Sequence, residues 1–183
     1  MTDAPPAVLA ALRDAQVLVD ADALVRAIDQ AAVRLAVLLT GENPVVLSVL
    51  NGALPFTAAL LQRLHFPLEL ACIQVSRYRS ATTGGELHWH ARPLISLAGR
   101  HVLIVDDVLD QGLTLAAIRD WALEVGAVRV TVAVMVDKKV ERLRPLAADV
   151  AALECPNRYL FGFGMDFQGY WRNLPAIYAL AER

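Results

Sequence analysis

Cysteine is scarce in this chain. Cys72 and Cys155 are the only two in 183 residues, and no CxxC pair exists. The simplest account is a cytoplasmic protein with both thiols reduced, rather than a disulfide-stapled secreted one. Long hydrophobic runs are also missing, although 56% of the residues are hydrophobic and the mean hydropathy is +0.44. Leu35–Leu39 and Val45–Leu50 are separated by the turn-like TGENP, so no stretch is long enough to span a bilayer. The opening MTDAPPAVLA lacks the basic region and long apolar core of a signal peptide. A strong excess of one charge sign is absent too. A net charge of −2 with 17 Lys and Arg argues against a nucleic-acid carrier, though not against a local basic pocket. No repeat or low-complexity tract is visible. The length suits one domain over residues 1–183, able to bury about 70% of its unfolded surface.

What the chain does have is concentrated in Val102–Leu115, VLIVDDVLDQGLTL. Four apolar residues in a row read as a buried parallel strand. The strand stops at an acidic turn, Asp106-Asp107, followed by Asp110, Gly112 and Thr114. Leu115, Ile118, Trp121, Ala122 and Val125 then recur at helical spacing and predict a helix up to Gly126. A loop that opens a helix at the carboxyl end of a strand offers N–H groups and a positive dipole end to an anion. Carboxylates beside an anion need a cation between them. The combination suggests a phosphorylated sugar held with Mg2+.

The rest of the chain alternates helix and strand. Residues 7–18 predict a short helix. Asp22 is expected to cap a second helix bearing Leu24, Val25, Ile28, Leu35 and Leu39, which stops at Gly41. Val45–Leu50 predicts the first core strand, Asn51-Gly52-Ala53 a turn, Phe56–Leu64 a helix and Leu68–Val75 a strand. Arg77–Pro93 has no clear period and reads as a mobile loop or extended hairpin. Within it, His88 and His90 flank Trp89, a spacing better suited to a surface hairpin than to a metal pair. Arg129–Val136 predicts a strand ending at Asp137-Lys138-Lys139, Val150–Leu153 a short apolar stretch, and Tyr159–Phe163 another strand. Residues 170–183 form a tail packed back on the domain. The fold class is therefore α/β, a parallel sheet flanked by helices.

The strand, acidic turn and glycine loop resemble the diphosphate-sugar motif of the type I phosphoribosyltransferases. The family pattern is four apolar residues, two acidic, two apolar, then Asp-Thr-Gly and a Thr two residues on. Here it stands as VLIV-DD-VL-DQG-L-T, with Gln111 where the family has Thr or Ser. The resemblance covers about residues 45–175 and points to the hypoxanthine–guanine branch. It implies a core over about residues 40–150 and a small hood from about 1–20 and 155–183. It implies that Asp106 and Asp107 serve the ribose hydroxyls and their Mg2+. The backbone of Asp110, Gln111, Gly112, Leu113 and Thr114, with the Thr114 hydroxyl, would hold the 5′-phosphate, and Asp110 would be catalytic at purine N7. Asn51 and Gly52 stand where the family's pyrophosphate-binding turn lies, often with a cis peptide. Asn51 replaces the family's usual Lys or Arg. Arg77 and Tyr78 open the loop that closes over the site in relatives.

Lys138 lies just past a strand end, where a lysine can donate to a carbonyl oxygen on a base. In the family it contacts purine O6. Tyr159 can stack on a purine face, and backbone near Leu160 and Asp166 would meet N1 and a 2-amino group. Asp166 and Arg172 match in kind and spacing an Asp that helps hold a second Mg2+ and an Arg that binds pyrophosphate. The resemblance thus implies purine salvage from phosphoribosyl diphosphate and a 6-oxopurine, by a homo-dimer or homo-tetramer without nucleic acid or membrane. Two readings compete: the same fold acting on another base such as xanthine, and a non-catalytic, nucleotide-sensing RNA-binding regulator. Scarce basic residues count against the regulator, and Lys138 against adenine, whose 6-amino group is itself a donor.

Overall fold

In the computed structural model, residues 4–77, 87–140 and 143–181 are described. Apolar runs without polar alternation make the sheet. Val45–Leu50 (β2), His101–Leu109 (β5) and Arg129–Lys139 (β6) are buried on both faces over most of their length. They pair in parallel, with Glu69–Arg77 (β3) and Val150–Pro156 (β7) outside them. Leu87–Ala91 (β4) closes one edge antiparallel to β3, so the order is β4-β3-β2-β5-β6-β7.

Helices Ala21–Leu39 (α2), Leu54–Leu61 (α3) and Leu113–Glu124 (α4) supply the layers. In α2 the buried residues are Leu24, Ala27, Ile28, Ala31, Ala32, Leu35 and Leu39, one stripe at helical spacing. Burying a side chain such as Leu35 is worth about 1.5–3 kcal/mol. Among the described residues no helix is long and apolar enough to cross a membrane.

Several boundaries differ from the sequence expectations. The helix expected over 7–18 stops early, at Pro6–Arg13 (α1), and Gln16–Val19 (β1) leaves it as a strand. Its partner is Ile177–Ala179 (β9), at the other end of the chain, and β9 also pairs with Leu160–Phe161 (β8). A hydrogen-bonded partner some 160 residues away overrides local helix preference. Asp20, not Asp22, caps α2, its carboxylate accepting from the Ala23 N–H at 2.8 Å. The strand expected at Tyr159–Phe163 shrinks to β8, because Gly162 and Phe163 take positive φ.

The largest difference lies at the centre. β5 does not stop at Val105 but continues through Asp106, Asp107 and Val108 to Leu109. Its register against β6 runs unbroken from His101↔Arg129 to Val105↔Ala133 and reaches Asp106↔Val134 and Leu109↔Asp137. The paired carboxylates therefore sit on rigid strand, not on a turn. β6 likewise extends to Lys139, which places Lys138 on the strand. Of the mobile loop or extended hairpin expected over Arg77–Pro93, the described residues bear out the hairpin, with β4 antiparallel to β3. β4 directs Trp89 onto Trp121 of α4, centroids 5.3 Å apart, with the Arg92 guanidinium over both rings. Tyr78 lies outside the described residues, and Arg77 ends β3.

Candidate functional site

β2, β5 and β6 are neighbours, so their carboxyl ends open onto one crevice. β2 delivers the Leu50–Asn51 peptide, which is cis, and the turn at Gly52. β5 delivers Asp106 and Asp107 and then Asp110. β6 delivers Lys138. Between β5 and α4, Gly112 adopts φ +74° at the N-cap and brings no side-chain acceptor to the leading N–H groups of the helix. That helix start, with Gln111, Leu113 and Thr114 around it, is an anion-binding geometry built mainly of backbone.

The other side of the crevice is the segment 159–172, anchored by β8. The Arg172 guanidinium lies 2.6 Å from the Asp166 carboxylate and 3.9 Å from that of Asp107, and donates to the Gly164 carbonyl at 2.6 Å. The other Asp166 oxygen accepts from the Gly169 N–H at 2.7 Å. Tyr159 is half exposed rather than a core aromatic. Its hydroxyl donates to the Asp166 carbonyl at 3.1 Å, and its ring meets Phe167 edge-on. A cavity of about 160 Å3 lies here, lined by Asp107, Val108, Lys138, Tyr159, Leu160, Met165 and Asp166. The Lys138 ammonium, mostly buried, stands 3.6 Å from the Asp110 carboxylate, which is half exposed.

Contacts closer than any side chain would allow hold this crevice together. A Cβ on Gly52 would fall 1.8 Å from Oδ2 of Asp107, and one on Gly164 would fall 2.0 Å from the Gly52 carbonyl oxygen. Gly164 carried no signal as a single residue in the sequence. Its need is visible only where two turns meet.

Electrostatics mark the paired carboxylates. Burial, then the Asp107 charge, pushes the Asp106 carboxyl well above its usual range. Burial also raises Asp107, against the opposing effects of its hydrogen bond with Asp106 and the nearby Arg172. A raised native value means that the folded state holds its proton more tightly than the unfolded chain. Stability is therefore lost as pH rises from the unfolded carboxylate value, about 3.9, through the higher folded value, and stays lost above it. Asp106→Asn removes that penalty. The variant is expected to melt above the wild type at neutral pH, with the difference closing as pH falls toward 4. Thermal unfolding followed across pH checks this, and an equal or lower Tm for the variant at pH 7 contradicts it.

Among the described residues no group of three or more His, Cys, Asp or Glu side chains is placed to hold a metal ion. His88 and His90 stand together on β4, with His90 hydrogen-bonded to Ser76, away from any carboxylate cluster. Asp106 and Asp107 do suit a hard cation of the kind that takes one or two carboxylates and draws its other ligands from substrate phosphates and water.

The phosphoribosyl transferase domain family matches residues 15–168. This chain belongs to that family. It is 33% identical over 168 residues to the hypoxanthine-guanine phosphoribosyltransferase of Streptococcus pneumoniae, covering 91% of this chain and 93% of the relative. A solved hypoxanthine-guanine-xanthine phosphoribosyltransferase superposes with TM-score 0.83 at 30% identity, over 93% of this chain and 99% of the other. A hypoxanthine phosphoribosyltransferase from Staphylococcus aureus shares the fold, with TM-score 0.87 at 24% identity over 93% and 94% of the two chains. In this phosphoribosyltransferase the strand–loop–helix built on β5 and α4 lies within the matched region.

Proposed function

We propose that this phosphoribosyltransferase moves the 5-phosphoribosyl group from its 1-diphosphate to N9 of hypoxanthine or guanine, forming the purine mononucleotide and releasing pyrophosphate. The observation that carries the reading is the Lys138–Asp110 pair: Lys138 lines the same cavity as Tyr159 and Leu160, and Asp110 stands two residues before the Gly112 helix start. Lys138 donates to the 6-oxo group. Tyr159 covers one face of the ring, and backbone at Leu160 and Asp166 meets N1 and the 2-position. Asp110 takes up or shares the N7 proton as N9 bonds to the anomeric carbon. Backbone of residues 110–114 and the Thr114 hydroxyl hold the 5′-phosphate. Asn51 and Gly52 offer backbone to the diphosphate, and Arg172 offers charge once it leaves Asp107 and Asp166.

The anomeric carbon gains positive character as the diphosphate departs, and the carboxylates of Asp106 and Asp107 stabilise it. Asp106 and Asp107 would hold one Mg2+ and Asp166 would help hold a second, which would supply charge neutralisation for the diphosphate when bound. Free Cys72 and Cys155 fit a reducing cytoplasm. Val25, Val33 and Val37, exposed along α2, are the apolar material for a homo-dimer or homo-tetramer contact.

An absorbance assay with Mg2+, phosphoribosyl diphosphate and each of hypoxanthine, guanine, xanthine and adenine tests the reading. Turnover of hypoxanthine or guanine and none of adenine is expected. Turnover of adenine in preference to either would reject the assigned role of Lys138. Xanthine is included because it differs from guanine only at the 2-position, which backbone reads.

A further inference from the structure

We infer that Arg144 is a positioning residue that fixes Asp110 relative to Lys138. The inference rests on the base-reading roles proposed above. The ladder between β5 and β6 ends at Leu109↔Asp137. Asp110 and Lys138 are the next residues on each side, so no ladder bond ties them together. Lys138 is held on its other side, paired with Cys155 of β7.

One guanidinium spans the gap. Arg144, on the segment between β6 and β7, donates through Nη2 to the Leu109 carbonyl at 3.3 Å and to the Lys138 carbonyl, and pairs through Nη1 with the Asp137 carboxylate. It therefore grips the residue before Asp110, the residue before Lys138 and Lys138 itself. Its side chain is 14% exposed, and that of Asp137 30%, so these contacts are less screened by water than a surface pair. A planar fork with five donors can meet two carbonyls and a carboxylate together, whereas a single ammonium cannot hold the same geometry. Arg144 also backs the phosphate loop, since a side chain at Gly112 would meet its Cβ at 3.7 Å. None of this was legible in the chain order, because two of the three groups Arg144 meets are main-chain oxygens that any sequence carries.

Displacement of reacting groups by about 1 Å can cost on the order of 100-fold in rate. Arg144→Met is therefore expected to lower kcat/KM for hypoxanthine roughly 10- to 100-fold, through a lowered kcat as Asp110 shifts and a raised KM for the base as Lys138 shifts. The Kd of phosphoribosyl diphosphate, measured by calorimetry without base, should stay within about threefold, because the backbone donors of residues 110–114 and Arg172 remain. Asp137→Asn should show the same pattern more weakly, and adding it to Arg144→Met should cost little more. Arg144→Lys, which keeps the charge and one donor direction, should recover only part of the loss and serves if the Met variant does not fold.

A crystal structure of the variant gives a readout apart from activity: the Asp110–Lys138 separation should exceed the present 3.6 Å. An unchanged separation, or equal losses in base KM and sugar-diphosphate Kd, would overturn the inference. A wild-type protein that turns over no purine would overturn the function proposed above, while the crystallographic separation would still decide the role of Arg144.

Discussion

Asp110→Asn is expected to lower kcat with hypoxanthine by about 100- to 10,000-fold, the usual span for removing a positioned acid or base. The Kd of phosphoribosyl diphosphate should change far less. The asymmetry follows from how the loop is built. The proposed hold on the 5′-phosphate rests on backbone N–H groups and on Gly112, whose φ of +74° turns the chain into α4. An amide in place of the carboxylate alters none of those. The carboxylate itself stands half exposed, 3.6 Å from the Lys138 ammonium, where it can exchange a proton with a bound base. Single-turnover rates set against calorimetric binding separate the two quantities. Parallel losses in both would remove Asp110 from proton transfer and make it a binding group.

Gly164→Ala should be the most destabilising of the small substitutions around the crevice. Two costs coincide there. The residue sits at φ +101°, and its new methyl would lie 2.0 Å from the Gly52 carbonyl oxygen and 3.2 Å from Pro55 Cδ. Backbone at such a junction yields poorly, so about 1–3 kcal/mol is expected from overpacking and about 1–3 kcal/mol from the strained conformation. For a chain of this size each kcal/mol lowers Tm by roughly 2–4 °C. Gly52→Ala should cost about 1–3 kcal/mol by overpacking alone, and it would also drive Asp107 out of place and take activity with it. Gly169→Ala is the control: φ is +86°, but nothing lies within 4 Å of a new Cβ. Differential scanning calorimetry on the three variants checks the order. A Gly164→Ala variant no less stable than Gly169→Ala would mean that the two turns do not meet as closely as described.

Both predictions concern features the sequence exposed unequally. VLIVDDVLDQGLTL announced a strand, three carboxylates and a helix start, because an unbroken apolar run, a glycine and a helical period are all local signals. Lys138 stands out by its place past an expected strand end, whereas Tyr159, Asp166 and Arg172 stand out through the family resemblance. The closeness of Gly52 to Asp107, of Gly164 to Gly52, and of Arg144 to Leu109 was not legible. Each joins segments with no common periodicity. The β1–β9 pairing was hidden for the same reason. QVLV following a short helix reads as more helix until IYA, at the other end of the chain, is beside it.

The sequence by itself determined the α/β class, the core strands and the chemistry on offer, since burial of long apolar runs and the carboxylate and lysine side chains depend on composition and local order. Only the tertiary structure decided where that chemistry points. It carried β5 past Val105 so that Asp106 and Asp107 stand on rigid strand, brought Arg172 from the C-terminal segment to both Asp107 and Asp166, and set Lys138 against Asp110. The reason is physical. Ladder hydrogen bonds and close backbone contacts depend on which strands become neighbours, and that choice is made by the whole core at once.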